Sequence, residues 1–89
     1  MNGDTNHLFE SDDFRRVAFY IARGAIYITK KPPILNSDKA VFVLRGVMDD
    51  MLSDWQAHRD SVSARALYEA QDLLRDVLRG KEPKNYINS

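Results

Sequence analysis

The chain has 89 residues, no cysteine, and thirteen basic residues balanced by thirteen acidic ones. That length holds one domain with a small core and marginal stability, and the lack of cysteine removes disulfide staples and thiolate metal sites and fits a reducing compartment. A net charge of zero leaves no overall field toward nucleic acid or an anionic membrane.

No apolar run approaches the roughly 18 residues that suggest a membrane span. The N-terminus is acidic, unlike the basic and apolar start of a secretion signal. A cytoplasmic location is therefore expected.

Residues 1–10 are polar and contain Gly3, so they are expected to form a flexible tail. Ser11 or Asp12 offers a short side-chain oxygen to the unpaired amides of a first helical turn. Phe14, Ala18, Ile21, Ala25 and Ile28 then recur at steps of four and three, which predicts a helix over residues 12–30. Gly24 inside it costs about 1 kcal/mol. In the alternative reading Gly24 ends the helix in a left-handed turn and leaves residues 25–29 as a β-rich segment. Pro32 and Pro33 stop either arrangement, so residues 31–36 read as a connector, with Ile34 and Leu35 tucked against the core.

A second helix is expected over residues 37–53, capped by Asn36, Ser37 or Asp38, with an apolar stripe of Val41, Leu44, Met48, Met51 and Trp55. Residues 40–44 are also β-branched and aromatic, and paired with residues 25–29 they would make a β-hairpin across the prolines. Ser61 or Ser63 caps a third helix over residues 61–80, with Leu67, Ala70, Leu74 and Val77 along one side and Gly80 and Pro83 at its end. Residues 81–89 read as a second tail. The expected fold is all-α: one domain over residues 11–80, three short amphipathic helices with a C-terminal helical hairpin. The α+β arrangement built on the 25–29 and 40–44 hairpin is the alternative.

His58-Arg59-Asp60 spells three letters of a kinase catalytic loop, but the chain is too short for that enzyme and lacks its glycine-rich loop, so the tripeptide reads as an interhelix turn. His7 and His58 are too few and too scattered for a metal site. Asp49, Asp50 and Asp54 form an acidic edge on the second helix that reads as a solvated face. No serine, threonine or lysine has a recognisable base beside it. The expectation is a non-enzyme with no catalytic residue, no metal and no cofactor.

Arg16, Tyr20, Arg23, Tyr27 and Lys30 follow one another at steps of four and three opposite the apolar stripe of the first helix, and such a basic and aromatic series suits a partner surface. Leu44, Met48, Met51, Trp55, Leu67, Leu74 and Val77 are the candidates for a dimer interface or core. In general plan the chain is similar to small regulatory or adaptor proteins of bacteria and phages, although no motif fixes a family. The expected function is a regulatory or adaptor protein that binds a larger protein through helix faces as a homodimer. The alternative is a nucleic-acid-binding transcriptional regulator that uses the basic and aromatic face of the first helix.

Overall fold

The computed structural model describes residues 7–32, 39–59 and 61–81. The connector at 33–36, the caps expected at Asn36, Ser37 and Asp38, the turn residue Asp60 and the tails at 1–6 and 82–89 lie outside the described residues. Among the described residues the chain runs β1 (Leu8–Ser11), α1 (Phe14–Ala22), β2 (Ile26–Lys31), β3 (Val41–Arg45), α2 (Asp49–Gln56) and α3 (Ala64–Leu78). The fold is α+β, which corrects the all-α expectation and removes the long second helix of the hairpin.

The correction has a local cause at each end of the proline segment. Asp13 caps α1, accepting a hydrogen bond from the Arg16 amide at 3.2 Å, and Gly24 ends it at φ +112°. The amide of Gly24 donates to the Ile21 carbonyl and that of Ala25 to the Tyr20 carbonyl, the paired bonds that close a helix through a left-handed residue. The chain then leaves the helical path, and Ile26-Tyr27-Ile28-Thr29, rich in β-branched and aromatic side chains, extends.

β3 takes the centre of a three-stranded sheet of order β1-β3-β2, antiparallel to both neighbours. β1 and β2 are therefore parallel to each other, and α1 crosses over β3 to join them. Central position explains the composition of β3: Phe42 and Leu44 face the helices while Val43 faces the other way, and all three are buried. A strand apolar on both faces has no alternation to betray it. Leu8–Glu10, placed in the tail by their polarity, belong to the edge strand β1, whose register sets Phe9 opposite Leu44 and Glu10 opposite Val43.

Val17, Ala18, Phe19 and Tyr20 are consecutive and all buried, so the middle of α1 is enclosed on every side. Its walls are the inner face of the sheet, through Phe9, Tyr27, Phe42 and Leu44, and the apolar stripe of α3, through Ala70, Leu74 and Val77. Met51, Leu52 and Trp55 bring α2 onto the same cluster, with the Trp55 ring 5.6 Å from that of Phe19. Burying a large apolar side chain of this kind contributes about 1.5–3 kcal/mol.

Ser63 caps α3, accepting from the Ala66 amide at 3.0 Å, and Gly80, at φ +88°, ends it. Its amide donates to Val77 and the Lys81 amide to Asp76, the same closure seen at Gly24. α2 ends by this geometry too, with His58 in the left-handed position at φ 60° and the Arg59 amide donating to Asp54 at 2.7 Å. A side chain with a Cβ is disfavoured there, so His58 holds a strained turn that glycine would relax.

Candidate docking surface

The basic and aromatic series of the first helix does not survive as one face, because α1 stops at Ala22 and β2 starts at Ile26. Tyr20 and Tyr27 are both 0% exposed. The Tyr20 hydroxyl accepts a hydrogen bond from Arg16 Nε at 2.8 Å, and the Arg16 guanidinium lies over the rings of Phe9 and Tyr20, 5.3 and 5.5 Å from their centres. Arg16 thus closes the end of an aromatic pair whose rings meet edge to face at 5.1 Å.

Arg23 is also engaged. It pairs with Asp54 at 2.8 Å and with Asp50 at 3.3 Å, and its guanidinium covers the Phe19 ring. Asp54 in turn accepts from Arg59 Nε at 3.1 Å. The hydrogen bond from Arg23 holds the Asp54 carboxyl below its ordinary value of 3.8; desolvation opposes that shift, and Arg59 adds to it. The acidic edge read as a solvated face is therefore in part a clamp that ties α2 to the end of α1. Lys30 lies on β2 opposite Phe42, on the strand that also holds Tyr27 and apart from the three residues of the series on or at the end of α1.

The residues expected at a dimer interface or core divide in the same way. Leu44, Met51, Leu74 and Val77 are buried within the chain, and Trp55 and Leu67 pack against that cluster. Met48 is half exposed beside a shallow groove of about 350 Å³ shared with Phe9, Val47 and Leu52. The apolar seams that suggested pairing of two chains are covered by α1 and the sheet of the same chain.

A second cleft, about 620 Å³, opens where the start of α1, the start of β3 and the end of α3 meet. Phe14, Phe42 and Leu78 form its apolar wall, with Asp12, Asp13, Arg15 and Lys39 around it. Asp13 is committed to capping α1, and among the described residues neither a histidine nor a hydroxyl nucleophile lines the cleft. Among the described residues no group of three metal-ligating side chains converges, and no helix is long and apolar enough to cross a membrane.

The surface that sequence reasoning missed is the outer face of the sheet. Residues directly opposite in an antiparallel pair share a face. Leu8, Arg45 and Ile26 form one row across the three strands, and Glu10, Val43 and Thr29 the next. Val41 and Lys31 pair beyond them, and Ile28 occupies the extra position created by a bulge between Tyr27 and Thr29.

Leu8, Ile26, Ile28, Val41 and Val43 all stand apart from the core cluster on which the three helices pack. Lys31 reaches from β2 to Glu10 on β1, across β3, at 2.7 Å. The Arg45 side chain makes no ion pair or hydrogen bond with another described residue. The only hint in the sequence is that these side chains alternate with Phe9, Tyr27, Phe42 and Leu44, a two-residue period too short in each strand to outweigh the helical spacing around it.

Comparison with family models, with curated proteins and with solved structures finds no match to this chain. The geometry of the molecule therefore carries the functional argument alone.

Proposed function

We propose that the chain is a small cytoplasmic, non-enzymatic binding module that docks a different protein on the outer face of its sheet. The observation that carries this reading is a set of aliphatic side chains, Leu8 and Ile26 flanking Arg45 with Ile28 and Val41 further along the strands, on a face that none of the described helices covers. Apolar groups brought together on a surface, with a polar rim such as the Glu10–Lys31 pair, are the usual makings of a protein contact.

Two arguments narrow the partner. The residues that would have held phosphates are spent inside the fold: Tyr20 and Tyr27 are buried, Arg16 stacks on Phe9 and Tyr20, and Arg23 is neutralised by Asp50 and Asp54. The face is also small. Three strands of about five residues make a surface of roughly 14 by 17 Å, well short of the roughly 800 Å² per partner of a stable dimer interface even when side-chain relief doubles it. The first argument favours a protein over nucleic acid; the second applies to any protein and limits the face to a single docked element rather than a broad interface.

The test compares affinity capture from the native host by the unaltered chain, by Ile26→Thr on the outer face and by Tyr68→Ala on the exposed side of α3. A captured protein identified by mass spectrometry, rebound in purified form and lost only with Ile26→Thr, supports the reading. Loss with Tyr68→Ala alone moves the contact to the helices and refutes it, as does salt-sensitive binding to duplex DNA that the Ile26 variant retains.

A further inference from the structure

We infer that the occupant of the outer face is an amphipathic helix of another protein that carries a carboxylate on its apolar border, placed to meet Arg45. The inference rests on the docking reading above and adds the chemistry of what docks.

The edges of the sheet do not invite strand addition. β2 is interrupted by the bulge after Tyr27 and ends in Lys30 and Lys31, two devices that discourage edge pairing, and β1 has only four residues. What remains is the face itself. Its width of about 14 Å accommodates one helix of about 10–12 Å diameter, and its length of about 17 Å matches three helical turns. The opposite face of these same strands already accepts helix α1 through Phe9, Tyr27 and Leu44.

Charge then selects among helices. Glu10 and Lys31 satisfy each other at 2.7 Å, so among the described residues of this face the charge without a partner is Arg45, set between Leu8 and Ile26 in a single row. Any partner that covers the row removes water from a guanidinium, and a carboxylate is the group that restores its hydrogen bonds. A neutral helix leaves the guanidinium covered and unpaired, and a basic one repels it. A second copy of this chain brings Glu10 as the acid of this face, and that carboxylate is already held by Lys31 at 2.7 Å.

The test titrates the full chain, labelled with ¹⁵N, with three synthetic peptides that share one leucine and alanine amphipathic sequence and differ at a single border position by glutamate, glutamine or lysine. The expected result is amide shifts confined to β1, β2 and β3, with the glutamate peptide binding about threefold to tenfold tighter than the glutamine peptide and the lysine peptide weakest. Arg45→Glu reverses that order without changing the circular dichroism spectrum. Equal affinity for the three peptides overturns the acidic selection and leaves the docking reading standing. Shifts on the helices alone, or none on the strands with any peptide, overturn both. A concentration-dependent dimer that Ile26→Thr abolishes assigns the face to a second copy and overturns the inference.

Discussion

β3 has two faces with opposite fates. Phe42 and Leu44 point into the cluster made by all three helices, while Val41, Val43 and Arg45 point away from it. The same five-residue strand is thus both the floor of the core and the centre of the proposed docking surface. The difference teaches that the described helices fold onto one side of the sheet only, so that alternate residues along one strand serve the helix-covered core and a face outside it, where Val43 is nevertheless 2% exposed beneath its neighbours.

The sharpest way to break that comparison is to truncate inward. Leu44→Ala removes a side chain that is 0% exposed at the centre of the cluster, and it is expected to destabilise by about 2–5 kcal/mol in urea denaturation. Ile26→Thr, one row away on the outer face, keeps a β-branched side chain and is expected to change stability by less than about 1 kcal/mol while abolishing partner binding. A loss as large as that of Leu44→Ala would mean that the outer face is core after all.

The clamp on the helical side gives a pH dependence. The folded pKa of Asp54 is depressed below its ordinary value of 3.8, so the unfolded chain binds its proton more readily and the stabilising effect is fully present above that ordinary value. It is lost as pH falls through the lower folded value. Asp54→Asn is expected to remove this component from an acid titration followed by tryptophan fluorescence, because Trp55 reports the seating of α2. An unchanged acid profile would show that Arg23 holds α2 too loosely to matter.

Smaller effects sharpen the contrast. His58→Gly relaxes the left-handed turn after α2 and is expected to stabilise the chain by about 0.5–1 kcal/mol in thermal unfolding. Glu10→Gln breaks the ion pair with Lys31, whose side chains are about half exposed, and is expected to alter stability by no more than about 1 kcal/mol. A much larger loss would make the outer face dependent on that bridge for its shape.

Several features were legible residue by residue. The spacing of Leu67, Ala70, Leu74 and Val77, with Ser63 before and Gly80 after, reads directly as α3, because a helix buries one stripe and its caps act through neighbours a few residues away. Gly24 as a left-handed exit and the pairing of residues 25–29 with 40–44 were present as the alternative reading. What misled was the series Val41, Leu44, Met48, Met51 and Trp55, whose helical spacing runs through the end of a strand, the turn at Gly46 (φ +86°) and the start of α2. Tyr20 and Tyr27 misled for a related reason: their spacing matched Arg16 and Arg23 along a helix that in fact stops between them.

Local chemistry therefore determined where helices can begin and end and which residues want burial, since capping, glycine conformation and proline geometry operate within a few residues. Only tertiary structure decided that Val41–Arg45, apolar up to Leu44, is a central strand, that Leu8–Ser11 pairs with it, and that Arg45 faces away from the core. Those outcomes depend on strands remote in sequence: a residue's face is set by the register with its neighbours, and hydrogen bonds between distant segments choose that register.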